Sequence, residues 1–180
     1  MVLKLLYKLQ CIVWKMHNKI KDITLCAICT SILIVQEQIL SILPNIQLTI
    51  FLMVVFSKKL GLVRTIIIIA CYTLIDGLIG GPFNIIYFLF MLIGWLIIPV
   101  LLCTVFKKVK SPLYLALLGV MFAFSYSWIN IIPNLILTSA NIISYLAADY
   151  PFELILAASS FLSILWLYEP IERVFKKIYK

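Results

Sequence analysis

Charged side chains are scarce in this chain, and that scarcity excludes an ordinary water-soluble domain. Only 12% of its 180 residues are Asp, Glu, Lys or Arg, whereas 64% are hydrophobic. Soluble globular chains have about 25% charged and about 45–50% apolar residues. At roughly 20 apolar residues per bilayer-spanning helix, this length allows about six or seven spans at most and little else. The composition therefore predicts a membrane protein without a separate extramembrane catalytic domain.

Residues and motifs that carry common catalytic and metal chemistry are also few. The sequence has one histidine, His17, and lacks the phosphate-binding pattern G-x-x-x-x-G-K-[ST] as well as H-E-x-x-H and G-x-S-x-G. Its five cysteines avoid the predicted outer loops, so no disulfide framework is implied. Cys26 and Cys29 form a C-x-x-C pair inside a predicted span, without partner ligands, and are interpreted as packing residues. We expect no metal site, no cofactor and no catalytic residue in this chain.

Long apolar runs are the most prominent feature that is present, and they predict six transmembrane helices. The predicted spans are Ile23–Leu43, Ile46–Ser57, Leu62–Ile79, Asn84–Phe106, Pro112–Ile132 and Pro151–Tyr168. The second run offers only about 13 residues, which reach roughly 20 Å as a helix. Snorkelling of Lys58 and Lys59 would compensate for that short length. The fold class expected is all-α, a polytopic bundle of six transmembrane helices.

The positions of the basic residues give this bundle an orientation. All 15 Lys and Arg residues lie before the first span, between the second and third, between the fourth and fifth, or after the sixth. The other three connections contain none. The positive-inside rule therefore places both termini in the cytoplasm. Omitting the short second span would put Lys58 and Lys59 outside, which is why six spans are predicted.

The first 22 residues form a different kind of segment from the rest. Lys4, Lys8, Lys15 and Lys19 fall on one helical stripe, which predicts a basic amphipathic helix at the cytoplasmic lipid surface. Residues 23–180 then form the membrane domain, with a short basic tail. Because topology explains the basic residues and the net charge of +8, nucleic-acid binding is not expected.

Four carboxylates lie in the outward half of this topology, where no Lys or Arg is available to pair with them. They are Glu37, Asp76, Asp149 and Glu153. Ionisable groups at membrane depth are costly and usually face a bundle interior or a watery cavity. For Asp149, just before Pro151, capping of the sixth helix is the simpler interpretation. Residues 133–149 are predicted to form a structured outer loop, because Pro133 and several asparagines interrupt the run.

Polar and aromatic side chains recur at helical spacing near the outward ends of spans four to six. Tyr126, Asn130 and Asn134 form one such stripe, and Asn84 and Tyr87 begin another. Interhelical hydrogen bonds and an interfacial aromatic belt would explain any single stripe. Their convergence predicts a pocket for a small polar ligand that is open to the outside.

Four short motifs resemble those of one transporter family. They are Leu43-Pro-Asn-Ile-Gln47, Asp76-Gly-Leu-Ile-Gly-Gly81, Asp149-Tyr-Pro-Phe-Glu153 and Tyr168-Glu-Pro-Ile171. Together with the predicted topology, they resemble the S components of energy-coupling factor (ECF) transporters over roughly residues 23–177. The resemblance implies a multi-pass subunit of a bacterial cell membrane that captures a vitamin or similar small water-soluble micronutrient from outside. Such a subunit docks to a transmembrane T component that carries two ATPase subunits.

The pocket and the resemblance together define candidate residues. Those expected around the ligand are Asn45, Gln47, Asp76, Asn84, Tyr87, Trp128, Asn130, Asn134 and Glu153. Asp76 or Glu153 would favour a cationic or donor-rich group on the ligand. The family docks through small residues on the first span, and the matching residues here are Ala27 with Ser31, and Cys26 with Thr30.

Two hypotheses that assign the chain to other classes of protein are also compatible with the sequence. A small integral-membrane enzyme acting on a lipid or isoprenoid could use Asp149 and Glu153, which are spaced i, i+4. A membrane assembly factor would need no pocket. Co-purification with a T component and ATPases would distinguish the transporter subunit from both.

Overall fold

The computed structural model describes residues 2–43, 45–138 and 141–178, with side chains from residue 19 onward except at positions 138, 176 and 178. Six α-helices make up the fold: α1 Val2–Leu40, α2 Thr49–Leu60, α3 Leu62–Ile79, α4 Ile85–Cys103, α5 Pro112–Thr138 and α6 Ile142–Ile178. The described residues contain no strand, which confirms the all-α prediction for them. Pro44 and the side chains of the predicted lysine stripe, apart from Lys19, lie outside the described part.

Five of these helices are long and apolar enough to cross a membrane. The segments concerned are Lys19–Leu40, Leu62–Ile79, Ile85–Cys103, Pro112–Leu137 and Ile142–Phe175. This is the make-up of a multi-pass membrane protein. Helix α1 runs without a break from Val2 to Leu40, so the first 22 residues continue directly into the first of these segments.

Helix α2, the short second segment, lies in the core of the bundle. It has 12 residues, and every residue from Thr49 to Ser57 is buried. It packs against each of the other five helices. A helix that is apolar on all sides is stable when protein surrounds it, and its length then does not have to match the bilayer. The central position of α2 therefore accounts for a segment of only about 18 Å at 1.5 Å per residue.

The predicted outer loop over residues 133–149 is wrong. Helix α5 continues through Pro133 to Thr138, and α6 begins at Ile142 and continues through Pro151. Asp149 therefore lies inside α6 and does not cap its N-terminus. A proline removes one backbone hydrogen bond, which long helices tolerate where neighbouring helices pack against the kink. Helices α5 and α6 provide that packing, because they share the largest helix–helix contact among the described residues.

One end of the bundle brings the basic groups together and is called the basic end below. The contacts that define it are Arg64 to Asp22 at 2.9 Å, Lys59 to Glu172 at 2.6 Å, and Lys58 Nζ to the Phe106 carbonyl at 2.6 Å. These contacts join the region before the first span, the α2–α3 junction, the α4–α5 connection and the C-terminal part of α6. Lys58, Lys59 and Arg64 thus lie at the same end of the bundle as Asp22, Phe106 and Glu172.

The acidic residues divide between the two ends in a different way. At the basic end, Asp22 and Glu172 are paired as described above, and Glu169 lies 3.7 Å from Arg173. The remaining four acids, Glu37, Asp76, Asp149 and Glu153, make no ion pair within the described residues. The end remote from the basic residues is therefore the place where uncompensated carboxylates collect.

Candidate functional site

A polar cavity of about 470 Å³ lies at the end remote from the basic end. It is bordered by the C-terminal end of α1, the α1–α2 loop, the C-terminal half of α5 and the first half of α6. Its described lining consists of Glu37, Leu40, Ser41, Leu43, Asn45, Ile46, Gln47, Tyr126, Ser127, Asn130, Tyr145, Asp149 and Leu156. Amides, hydroxyls and two carboxylates thus converge in a space of the size that small-molecule sites occupy.

The α1–α2 loop is fixed to α6 on one side of this cavity. Asn45 Nδ2 donates to the Phe152 carbonyl at 2.9 Å, and the Gln47 N–H donates to Ser159 Oγ at 3.2 Å. Asn45 adopts a left-handed backbone with φ 57°, a conformation that asparagine accepts more readily than most residues. These contacts hold Asn45 and Gln47 at the cavity wall.

Gln36 connects α1 to the start of α2. Its Oε1 accepts from the Leu48 N–H at 2.9 Å, and its Nε2 donates to Thr49 Oγ1 at 2.8 Å. The N-terminal N–H groups of a helix lack partners within the helix, so a side-chain acceptor there satisfies one of them. Gln36 therefore positions the buried helix α2 relative to the last turn of α1, where Glu37 lies.

A buried chain of aromatic side chains runs behind the cavity wall. The Tyr72 hydroxyl donates to Glu37 Oε2 at 2.6 Å, and the Tyr72 ring meets Trp95 edge-on with centroids 6.4 Å apart. Trp95 in turn stacks on Tyr126, with centroids 3.8 Å apart and an interplanar angle of 20°. Glu37 and Tyr126, at the two ends of this chain, both line the cavity. The orientation of each is thus fixed by residues outside the cavity.

A second network holds the opposite wall, on α5 and α6. The Tyr87 hydroxyl donates to Asn134 Oδ1 at 2.5 Å, and Asn134 Nδ2 donates to the Tyr145 hydroxyl at 2.7 Å. Asn130 Nδ2 donates to the Tyr126 carbonyl at 2.9 Å. Tyr145 and Asn130 line the cavity, whereas Tyr87 and Asn134 support Tyr145 from outside it.

Two of the sequence-predicted residues lie apart from this arrangement, near the ends of other helices. Asn84 caps α4, because its Oδ1 accepts from the Ile86 N–H at 2.9 Å. Asp76 lies in the last turn of α3, where its carbonyl accepts from the Gly80 N–H at 2.9 Å. Neither belongs to the described lining of the cavity. Of the nine predicted residues, the structure places Asn45, Gln47 and Asn130 at the cavity wall.

Trp128 and Glu153 lie in a separate groove between α5 and α6. It has a volume of about 790 Å³, and its described lining is Phe124, Trp128, Ile131, Leu146, Ala147, Tyr150 and Glu153. It shares no described lining residue with the polar cavity. Glu153 is only 3% exposed, and its Oε1 has no hydrogen-bond partner among the described residues. Asp149 and Glu153 are four residues apart in one helix, yet they line different spaces.

Several cavity residues were not among the sequence candidates. They are Glu37, Ser41, Tyr126, Ser127, Tyr145 and Asp149. For Glu37 the sequence carried a usable signal: it is an outward carboxylate, and Leu40 and Ser41 follow at i+3 and i+4 on the same helix face. Tyr145 had no such signal, because its segment was interpreted as a loop.

An apolar groove of about 800 Å³ runs between α1 and α3, on the outside of the bundle. The four small residues of the first span all line it, with Ala27 and Ser31 exposed and Cys26 and Thr30 buried. The Ser31 hydroxyl donates to the Ala27 carbonyl at 2.9 Å, so its polarity is satisfied within α1. The exposed edge of this groove is therefore apolar and free of bulky side chains at those two positions.

Comparison of the chain with protein-family models, with curated proteins and with solved structures finds no match. Its function must therefore be inferred from its own residues and geometry.

Proposed function

We propose that this chain is the substrate-binding S component of an ECF-type importer. In this role it captures a small water-soluble micronutrient outside the cell and delivers it by docking to a T component with two ATPase subunits. The observation that carries the proposal is the polar cavity of about 470 Å³, which lies at the end of the bundle remote from the basic residues. It suits a ligand of vitamin size, with amides and hydroxyls that can orient it.

The basic end supports the orientation that such a subunit needs. Under the positive-inside rule, the end that contains Arg64, Lys59 and Lys58 faces the cytoplasm, so the cavity faces outward. In this proposal both termini are cytoplasmic. The chain then passes from one end of the bundle to the other six times, with the buried α2 as the second pass.

The groove between α1 and α3 supports the proposed docking. Small side chains at Ala27 and Ser31 let the backbone of a partner helix approach closely, which is the usual requirement for association within a membrane. The proposal assigns this face to the T component, and Cys26 and Thr30 to the packing beneath it. The ATPase subunits account for the energy source, because this sequence carries no phosphate-binding loop of its own.

Co-purification tests the proposed partnership. The tagged full chain is expressed in its native host, and the proteins retained with it in mild detergent are identified by mass spectrometry. A T component and two ATPases are expected with the wild-type chain. Ala27→Trp should remove them, because the indole would fill the groove. Val35→Trp, at an exposed position of α1 outside the groove, is the matched control and should retain them.

Native mass spectrometry of the purified chain tests the capture of a ligand. A bound molecule of vitamin size, lost on prolonged dialysis and regained from growth medium, is the expected result. A chain that carries no such molecule and retains neither a T component nor ATPases would contradict the proposal. Retention of a lipid substrate, together with turnover of that lipid by the chain alone, would instead identify a membrane enzyme.

A further inference from the structure

The described lining of the polar cavity contains negative charge without positive charge. Glu37 and Asp149 are its two carboxylates, and none of its described residues is Lys, Arg or His. The negative charge of Asp76 adds to the field at Glu37. The cations that make ion pairs in the described chain, Lys59, Arg64 and Arg173, are all at the basic end. An anionic ligand would meet repulsion in this cavity and no compensating cation.

Glu37 is the carboxylate best placed to contact a ligand directly. Its Oε2 accepts from Tyr72 at 2.6 Å, which fixes the carboxylate against α3. Its Oε1 makes no hydrogen bond among the described residues. This atom is not fully buried, so it is accessible to a ligand. A carboxylate held by one donor retains acceptor capacity for a second. Glu37 is thus an oriented acceptor at the cavity wall.

Aromatic rings form another part of the same wall. Tyr126 lines the cavity, and its stacking on Trp95 at 3.8 Å prevents its ring from turning freely. Tyr145 lines the cavity on α6 and is held through its hydroxyl by Asn134 at 2.7 Å. Fixed aromatic faces favour flat rings by stacking and favour cations through their quadrupoles.

From these observations we infer that the cavity selects a cationic, ring-containing ligand, and that Glu37 is the residue that reads its positive charge. The ligand class is a heteroaromatic or aromatic ring that bears an ammonium or another positively charged N–H donor. This inference rests on the proposed function, because it names the class of molecule that the proposed capture site takes. It also assigns the charge selection to Glu37, in place of the sequence candidates Asp76 and Glu153.

A matched series of three probes tests the inference. Tryptamine, tryptophol and indole-3-acetate share an indole ring and carry a positive charge, no charge and a negative charge. Isothermal titration calorimetry of the full chain in detergent micelles gives the dissociation constant for each. We expect tryptamine to bind at least about tenfold more tightly than indole-3-acetate, the factor that corresponds to one hydrogen bond to a charged group. Tryptophol should fall between them.

Variants then locate the origin of the preference. Glu37→Gln should lower the ratio of the two dissociation constants at least about fivefold, because it removes the charge while keeping the size. Glu37→Asp keeps the charge and should retain most of the preference. Glu169→Gln makes the same change at the basic end and should leave the ratio unaltered. Asp149 is half-buried and lines the same cavity. If Glu37→Gln does not fold, Asp149→Asn should still lower the ratio of the two dissociation constants.

The outcomes separate this inference from the proposed function. A wild-type chain that prefers indole-3-acetate, or whose preference is abolished by Glu153→Gln and not by Glu37→Gln, would overturn the inference and leave ligand capture standing. So would an anionic molecule that co-purifies with the chain. Failure to bind any of the three probes also overturns it. The proposed function fails only if native mass spectrometry finds no bound molecule and the importer partners are missing as well.

Discussion

The hydroxyl of Tyr72 lies 2.6 Å from Oε2 of Glu37 and donates a hydrogen bond to it across the contact between α1 and α3. Tyr72 is fully buried, whereas Glu37 reaches the cavity. One buried donor therefore determines how the carboxylate of the first span is presented. The contribution of this hydrogen bond to stability can be measured.

Replacing Tyr72 with phenylalanine should lower the free energy of unfolding by about 1.5–3 kcal/mol, the usual contribution of a hydrogen bond to a charged group. The same replacement made in a Glu37→Gln background should cost less, because the acceptor is then neutral. Unfolding of the purified chain in mixed detergent micelles measures both. Tyr114→Phe, at an exposed position, is the matched control. Equal losses in the two backgrounds would show that the negative charge of Glu37 does not strengthen the hydrogen bond.

Replacing Gln36 with alanine should destabilise the start of α2. Its amide bonds both the Leu48 N–H and Thr49 Oγ1, and loss of a helix N-terminal partner costs about 0.5–2 kcal/mol. Because α2 contacts every other helix, we expect the loss to lower the unfolding midpoint of the whole bundle. Thermal unfolding in detergent is the measurement. Gln38→Ala, an exposed position two residues further on, should change the midpoint little, and a comparable fall there would contradict the prediction.

Replacing Gly94 with alanine should disturb the cavity wall. A Cβ at Gly94 would lie 3.0 Å from Cδ2 of Tyr126, whose ring is already stacked on Trp95. The ring must move, so we expect weaker tryptamine binding. We also expect the free energy of unfolding to fall by about 1–3 kcal/mol, the usual cost of overpacking a core. Binding and unfolding are measured on the same preparation.

Gly77→Ala provides the comparison for Gly94→Ala. A Cβ at Gly77 would meet the Phe83 ring at an ordinary 3.5 Å, and alanine is the better helix former by up to about 1 kcal/mol. That variant should therefore be neutral or more stable. If Gly94→Ala behaves in the same way, the Tyr126 ring is not held as tightly as the stacking implies.

Replacing Glu153 with glutamine should raise the free energy of unfolding by about 1–3 kcal/mol. Its carboxylate is buried with one unpartnered oxygen among the described residues, and an uncompensated buried polar group costs about that much. Removing the charge lowers the desolvation cost while the packing is retained. Glu169→Gln, an exposed position in the same helix, should change stability by less than about 0.5 kcal/mol. A destabilised Glu153→Gln chain would show that the contact of the carboxylate with Trp128 outweighs the cost of burying the charge.

Two prolines lie where the local sequence pattern and the tertiary structure disagree. Pro133 and Pro151 both read as helix boundaries, because a proline lacks an N–H and disfavours the helix before it. In the structure both lie inside helices. The packing of α5 against α6 stabilises the kinked backbone, and that contribution involves residues far apart in the chain. Local rules therefore placed the helix ends incorrectly, by six residues at α5 and by nine at α6.

The short second segment, in contrast, was recognisable as a helix from the sequence. Its charge context identified it as a separate segment, predicted over Ile46–Ser57, whereas the helix runs three residues later at both ends, over Thr49–Leu60. Its all-round hydrophobicity was visible in the sequence. What the sequence did not give was the reason for its length. The structure supplies it: α2 is enclosed by five helices and does not need to match the bilayer alone.

The sequence by itself determined that this chain belongs in a membrane, that its elements are helices, and that its basic residues and its uncompensated carboxylates fall in separate groups. These properties depend on composition and on order along the chain. Only the tertiary structure decided that Glu37 and Asp149 face the cavity while Glu153 faces another groove and Asp76 lies outside both. Which way a side chain points depends on the rotation of each helix against its neighbours, and that rotation is set by the packing of all six helices together.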